Sequence, residues 1–222
     1  MELRHSTADY TILGIRFRLY ALSVRSFTRK VMQMATNEIR SGVNEFESTI
    51  GGVTVHGKAH SLSAWFVLAL RLMMGYAFLY SGWDKLTAAE PFSATGYLLN
   101  AVPEASPLYG TFQWMGSTPW FAEFLSVAVP WGELLIGLAL IAGLLTRLAA
   151  FWGAFMMLMF YFGNWEVAHG LINGDFAYML VFLAVAAFGA GRIVGLDALI
   201  ERFELDGEPL VEKYPKLRYV LG

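Results

Sequence analysis

The chain has no cysteine and few histidines. None of its 222 residues is cysteine, and the four histidines are His5, His56, His60 and His169. Without thiols it cannot form disulfides, thiolate metal sites, iron–sulfur clusters or the thioether links of covalently attached haem. A haem held by two axial histidines across helices also needs partners that this chain does not offer. We therefore expect no haem, iron–sulfur cluster or metal, and any electrons must travel on a diffusible carrier or a partner.

Charged residues are also scarce. They make up 15% of the chain, against roughly 25% in an average soluble domain, whereas hydrophobic residues make up 56%. The net charge of −2 offers no basic surface for a nucleic acid, so we expect no nucleic-acid partner. This composition favours a protein of the cell membrane.

Four apolar stretches predict four transmembrane helices. Residues 62–81 contain one charge, Arg71, and residues 124–145 contain one, Glu133, whereas residues 148–162 and 176–191 contain none. The last two stretches reach the ~20 residues of a membrane span only with their aromatic and small polar borders. Buried helices of a soluble protein are the alternative for these lengths. With their borders, the predicted spans are 62–85, 122–145, 147–165 and 174–191.

The basic residues lie on alternate sides of these spans. Residues 86–123 and 163–175 contain no lysine or arginine, and Arg147 lies in the turn between the second and third spans. The positive-inside rule then places both termini in the cytoplasm. The flanking basic residues are Arg4, Arg16, Arg18, Arg25, Arg29, Lys30, Arg40 and Lys58 before the first span, and Arg192, Arg202, Lys213, Lys216 and Arg218 after the last.

Three regions follow from this pattern: an N-terminal extension (1–60), a membrane domain (61–195) and a cytoplasmic tail (196–222). For residues 1–33 we consider a basic helix on the inner leaflet, a disordered segment, or a misassigned translation start with the true one at Met32 or Met34. Residues 35–60 contain several glycines and predict a polar linker. The tail carries an amphipathic helix. Residues 87–122, rich in proline and aromatic residues, predict a partly helical lid over the outer mouth, or a plain aromatic belt.

Arg71 and Glu133 lie at similar predicted depths. Each is nine residues from its end of a span, or ~14 Å from its own surface of a core ~30 Å thick. An unpaired charge in hydrocarbon is costly, so the two side chains should meet and pair bidentately. Such a pair either forms part of a ligand site or only fixes the helix register. Pro130, one turn before Glu133, should kink the second span and free a backbone carbonyl.

Further polar residues cluster near the outer ends of the spans. Lys85 is fourteen residues beyond Arg71, almost four turns, so both lie on one face of the first helix. Snorkelling at the interface is the alternative explanation for Lys85 and Asp84. The complete candidate ligand site comprises Arg71, Glu133, Lys85, Asp84, Trp83, His169 and Asp175.

Several short motifs resemble those of the DoxX/DoxD family, over about residues 62–203. Arg71 with Gly75, Phe78, Ser81-Gly82 and Lys85-Leu86 is similar to its first helix. Two segments resemble the second and third helices of the family: Glu133-Leu134-Leu135-Ile136-Gly137-Leu138 and Gly143-Leu144-Leu145-Thr146-Arg147-Leu148-Ala149-Ala150. Two more resemble the start of the fourth helix and the segment that ends the family pattern: Asn173-Gly174-Asp175-Phe176, and Gly189-Ala190-Gly191-Arg192 with Asp197. The resemblance implies a four-helix membrane bundle in which Arg147, Arg192, Asp197 and Pro130 serve structure and topology.

The resemblance also implies a function. DoxD is the small membrane subunit of a thiosulfate:quinone oxidoreductase and works with a second subunit, DoxA. We therefore expect a redox subunit that needs a DoxA-like or other partner, or self-association, and that binds quinone in its bundle. Arg71, Glu133 and Lys85 would lie nearest the quinone head, with Trp83, Trp114 or Trp120 on its ring. A non-enzymatic scaffold or assembly factor is the alternative, and a small transporter is less favoured.

Overall fold

A computed structural model describes residues 43–50, 53–60, 62–166, 171–205 and 208–222. Contacts divide the chain into two units, residues 1–61 and 62–222, which are described separately. The predicted basic extension over residues 1–33 and the candidate starts Met32 and Met34 lie outside the described residues.

The first unit contains an antiparallel β-hairpin. Strand β1 runs from Val43 to Ile50 and β2 from Val53 to His60, with Val43 opposite His60 and Ile50 opposite Val53. The predicted polar linker is therefore wrong over these residues. The sequence holds a hairpin pattern that the glycine content obscured: the dipeptide Gly51-Gly52 stands between two segments that contain β-branched residues.

The second unit is mostly helical, and its described residues include three helices long and apolar enough to cross a membrane. These are α1 (Ser63–Thr87), α4 (Pro119–Ala142) and α5 (Thr146–Gly163), and the shorter apolar helix α6 (Gly174–Ala187) follows. Two short helices, α2 (Ala94–Gly96) and α3 (Tyr109–Ser117), lie between α1 and α4. The predicted class of an all-α membrane protein is confirmed at this level.

Helix α1 packs closely along α4 through glycines. A Cβ on Gly137 would collide with the backbone of Leu79, and one on Gly82 would lie 2.5 Å from the backbone nitrogen of Leu134. Three residues forward on α1 thus correspond to three residues back on α4, so the helices are antiparallel. Close backbone approach at small residues is the usual way in which membrane helices gain packing energy.

Helix α5 packs mainly on α6, and the core joins the two helix pairs. Gly153 lies against the ring of Phe182, which meets Phe78 edge to face with 4.8 Å between ring centroids. The same core contains other fully buried residues, namely Met74, Leu140, Ala150 and Val185.

Residues 94–117, here called the cap segment, fold against the ends of the long helices. Ala94, Leu98, Val102 and Phe112 form a small core of their own. The Ser106 hydroxyl donates to the carbonyl oxygen of Phe162 at 2.7 Å, and the Ala94 amide donates to Ser126 Oγ at 2.9 Å. Of the aromatic residues in this segment, Phe112 is buried in the small core, whereas Trp114 is exposed.

The chain after α6 folds under the opposite end of the bundle. A tight turn at Ala190–Arg192 leads to α7 (Leu196–Arg202), then to two short paired strands, β3 (Glu204–Leu205) and β4 (Glu208–Pro209). Helix α8 (Leu210–Lys213) and a 3-10 turn at Pro215–Tyr219 bring Leu221 and Gly222 to buried positions.

Candidate functional site

Arg71 binds backbone carbonyls and does not meet Glu133. Its Nη1 donates to the carbonyl oxygens of Ala190 at 2.6 Å and Ile193 at 2.8 Å, and its Nη2 donates to that of Val194 at 3.1 Å. The side chain is 1% exposed. The predicted Arg71–Glu133 pair is therefore wrong.

The error comes from measuring depth from the ends of the two apolar stretches, which assumes that the two helices end at the same levels. Gly82 lies against Leu134 and Gly137 against Leu79, so the helices are staggered and Glu133 lies near the C-terminal end of α1. A Cβ on Gly143 would lie 2.9 Å from Arg71 Nη1. Arg71 is thus level with a residue ten positions past Glu133, which separates the two charges by ~15 Å along the bundle.

Glu133 forms its ion pair with Lys85. The Lys85 Nζ lies 2.6 Å from Glu133 Oε2 and donates a second hydrogen bond to Ser81 Oγ, also at 2.6 Å. The side chains are 24% and 4% exposed, respectively, so the carboxylate is compensated where water is largely excluded. Both residues belong to the predicted site, but the predicted partner of Glu133, Arg71, is wrong.

A large apolar cavity lies beside this pair. Its volume is about 1390 Å³, and α4 and α5 line most of its length. Its lining includes a polar group near the Lys85–Glu133 pair, whereas Leu144, Leu145 and Leu148 line another part. The polar lining residues are Ser81, Lys85, Tyr97, Glu133, Asn164, Asp175 and Tyr178.

A second polar chain joins the cap segment to this end of the cavity. The Tyr97 hydroxyl donates to Asn164 Oδ1 at 2.9 Å, and Asn164 Nδ2 donates to Asp175 Oδ2 at 2.8 Å. Burial and the negative charge of Asp175 raise the pKa of Tyr97 to about 12. The phenol therefore stays protonated and keeps its role as donor. Gly163 leaves room for it, because a Cβ there would collide with the Tyr97 hydroxyl.

The described members among the remaining predicted site residues lie outside the cavity. Trp83 and Asp84 are exposed at the end of α1, and Trp114 and Trp120 are exposed as well. None of these four lines the cavity. His169 lies outside the described residues.

The aromatic residue beside the ion pair is Phe92, which sequence analysis did not single out. Lys85 Nζ lies 5.8 Å from the centroid of the Phe92 ring, and Phe92 lines the cavity. In the sequence, only the aromatic content of residues 87–122 pointed to Phe92. Its contact with Lys85 arises because the chain turns back after α1.

Asp197 forms a separate buried centre at the opposite end of the bundle. Its carboxylate accepts from the amides of Leu145 at 2.7 Å, Thr146 at 2.9 Å and Gly222 at 3.1 Å. The charge thus stabilises the start of α5. Gly191 is required here, since a Cβ would collide with Asp197 Oδ2 and with the Thr146 hydroxyl. Asp197 was predicted to serve structure, and its contacts are of that kind.

The other residues predicted for structure lie near the same end, except Pro130. Arg147 donates to the carbonyl oxygens of Ala186 at 3.2 Å and Arg218 at 2.6 Å. Arg192 forms a bidentate pair with Glu201, and this hydrogen bonding raises the pKa of Arg192. Pro130 lies buried inside α4, and its carbonyl oxygen is 2.7 Å from the position of a Cβ on Gly82.

Comparison with known proteins gives one family match. Residues 66–165 match the family model described as DoxX. No curated protein and no solved structure matches the chain. The matched range contains Arg71, Lys85 and Glu133, most of α1 and the whole of α4 and α5. Over this range, a little under half of its length, the chain is similar to the DoxX family.

Proposed function

We propose that this chain is a membrane subunit of a redox complex and binds a quinone in the cavity between α4 and α5. The observation that carries this proposal is the combination of a long apolar cavity of about 1390 Å³ with a Lys85–Glu133 ion pair at one end. Ligand sites of this kind bury an apolar body and orient it with a few polar groups. A quinone has an apolar tail and a small polar head.

The ion pair suits a neutral head group. A lysine ammonium has three donor protons, and within the described part of the chain Lys85 uses two of them, on Ser81 and Glu133. The third is available for a quinone carbonyl oxygen. Because the pair carries no net charge, it favours a neutral ligand over an anion. Phe92 beside Lys85 replaces the predicted tryptophans as the ring nearest the head.

Arg71 has no part in this site. All three of its hydrogen bonds go to backbone carbonyls at the opposite end of the bundle, and it does not line the cavity. Its role is to hold the turn after α6 against α1. Among the described residues, the predicted site residues that line the cavity are Lys85, Glu133 and Asp175, and Ser81, Tyr97 and Asn164 join them.

Reduction of a quinone to a quinol takes up two electrons and two protons. Glu133 and Lys85 lie where a proton could pass to the head group, and the Tyr97–Asn164–Asp175 chain lies at the same end. The electrons would come from a second subunit that oxidises a sulfur compound, as in a thiosulfate:quinone oxidoreductase. This is the role that the DoxD resemblance implies.

We also propose that all four long helices cross the membrane with both chain termini in the cytoplasm. Helix α6 alone spans ~21 Å, so its flanking residues would complete the crossing of a core ~30 Å thick. Arg147, Arg192 and the basic residues of the tail gather at the Asp197 end. The connections at the other end lack lysine and arginine, which supports this orientation.

Quinone binding can be tested with a variant that leaves no buried charge unpaired. Lys85→Met combined with Glu133→Leu removes both charges and keeps similar volume, so folding should be retained. We expect protein purified from its native membrane to contain quinone, and the double variant to bind added decylubiquinone about tenfold more weakly or worse. Quinone would be measured in lipid extracts, and binding by quenching of tryptophan fluorescence.

The matched control is Asp84→Asn, which removes a neighbouring charge that does not line the cavity. It should bind decylubiquinone like the unaltered chain. Absence of quinone from the native preparation, together with equal binding by the double variant, would contradict the proposal. If the double variant still held a redox partner, the scaffold function would then be favoured, since Arg71 and Asp197 already serve to join parts of the fold.

A further inference from the structure

The exposed face of α1 carries a row of mostly large side chains, here called the aromatic stripe. Its members recur at helical spacing, so they share one side of the helix. None of them lines the cavity. The stripe comprises Trp65, Ala69, Leu72, Met73, Tyr76, Tyr80 and Trp83, all exposed.

Two tyrosines stand at an unusual depth in this stripe. Tyr76 lies near the middle of the 25-residue helix, ~20 Å from its start and ~16 Å from its end, and is 66% exposed. Tyr80 is 62% exposed, and its ring stacks on that of Tyr76 with 6.2 Å between centroids. Tyrosine favours the membrane interface, where its hydroxyl reaches water. Among the described residues, neither hydroxyl has a hydrogen-bond partner.

We propose that a second copy of this chain covers the aromatic stripe. In a two-fold dimer with its axis along the membrane normal, identical residues meet at equal depth. Tyr76 and Tyr80 of one copy would then face the same residues of the other. Each hydroxyl both donates and accepts, so the four can satisfy one another without further groups. An unrelated helix would have to bring its own polar groups to that depth.

Two other features fit a second copy. Ala69 provides a small residue on the stripe, two turns before Tyr76, where two helices can approach closely. The cavity lies on the α4–α5 side, so a dimer through α1 leaves it open to the bilayer. The inference is therefore independent of the proposed quinone site, and either can fail without the other.

Cysteine cross-linking provides the direct test, because the chain has no cysteine of its own. Ala69→Cys keeps both tyrosines and places a single thiol on the stripe. In membranes treated with copper phenanthroline, we expect a covalent dimer of twice the chain mass. The matched control is Val127→Cys on α4, which is 61% exposed and does not line the cavity. It should stay monomeric on a denaturing gel.

The hydroxyls are tested by the double change Tyr76→Phe and Tyr80→Phe, which keeps the ring area. We expect about tenfold weaker dimerisation, measured by energy transfer between labelled copies in liposomes, with unchanged binding of decylubiquinone. Tyr219→Phe, at an exposed position outside the long helices, should leave dimerisation unchanged. The proposal is overturned if Ala69→Cys cross-links no better than Val127→Cys or joins a different protein, or if the double variant dimerises as before.

Discussion

Asp197 connects distant parts of the chain through one carboxylate. It binds the first amides of α5 and the amide of Gly222, and its negative charge lies near the Arg71 guanidinium. Its own amide donates to the carbonyl oxygen of Gly143 at 2.8 Å. A single acidic residue thus fixes the α4–α5 connection and supplies the negative charge that Arg71 needs. Lys85 and Glu133 form a second compensated centre at the other end.

Replacing Asp197 by Asn should destabilise the fold strongly. The amide keeps the shape, but it removes the charge near Arg71 and turns an NH₂ group toward backbone donors. We expect a loss of about 2–4 kcal/mol in the free energy of unfolding, measured by denaturant titration in detergent. Glu201→Gln is the control, because its pair with the exposed Arg192 should contribute less than about 1 kcal/mol. Equal losses for the two variants would contradict the role assigned to Asp197.

At the scale of elements, the contact between α1 and α4 sets where every polar side chain lies. Gly75, Gly82 and Gly137 bring the two backbones together, and their positions fix the register. A slip of one turn would move Glu133 away from Lys85 by ~5 Å. The ion pair and the cavity therefore depend on glycines that make no polar contact themselves.

Alanine at Gly137 or Gly82 should separate the helices. In an open helical position, Gly→Ala stabilises by up to about 1 kcal/mol, but here the added methyl group meets backbone atoms of the neighbouring helix. We expect each change to cost about 1–3 kcal/mol and to lower decylubiquinone binding, as measured by unfolding and by tryptophan quenching. Gly110→Ala in α3, where nothing lies within 4 Å, should be neutral or stabilising. Tolerance of alanine at both interface positions would exclude this register.

The sequence was sufficient to predict the long helices, but not to predict the register between them. Hydropathy located the apolar stretches that became α1, α4 and α5, because burial in lipid requires long apolar runs. The predicted second span began at residue 122, three residues too late, since Pro119, Trp120 and Phe121 read as loop, although proline is favoured in the first turn of a helix. The larger error was to take the ends of the two helices as level, whereas the glycine contacts stagger them, and this put Glu133 level with Arg71. The partners of Arg71 are carbonyls, which a sequence pattern does not distinguish.

At the scale of the whole molecule, charge is distributed unevenly between the two ends of the bundle. Glu104 is exposed in the cap segment, within a connection that contains no lysine or arginine. Lys216 is exposed in the tail, beside other basic residues. If the long helices cross the membrane as proposed, these two positions lie on opposite sides of it.

Single cysteines at these positions report the orientation. In intact cells, a membrane-impermeant maleimide should label Glu104→Cys and leave Lys216→Cys unlabelled, because the positive-inside rule holds the basic end in the cytoplasm. Permeabilised cells serve as the control, in which both variants should react. Labelling of Lys216→Cys in intact cells would reverse the proposed topology.

The three backbone carbonyls that bind Arg71 have a consequence for biosynthesis. The first carbonyl that binds its guanidinium belongs to a residue 119 positions further along the chain. At ~5–20 residues per second, the ribosome delivers that residue roughly 6–24 s after Arg71. If α1 crosses the membrane as proposed, the nascent first helix carries an uncompensated cation until then, and this cation must stay in contact with water or lipid head groups. On that topology, full insertion of the first helix is completed only when the last one arrives.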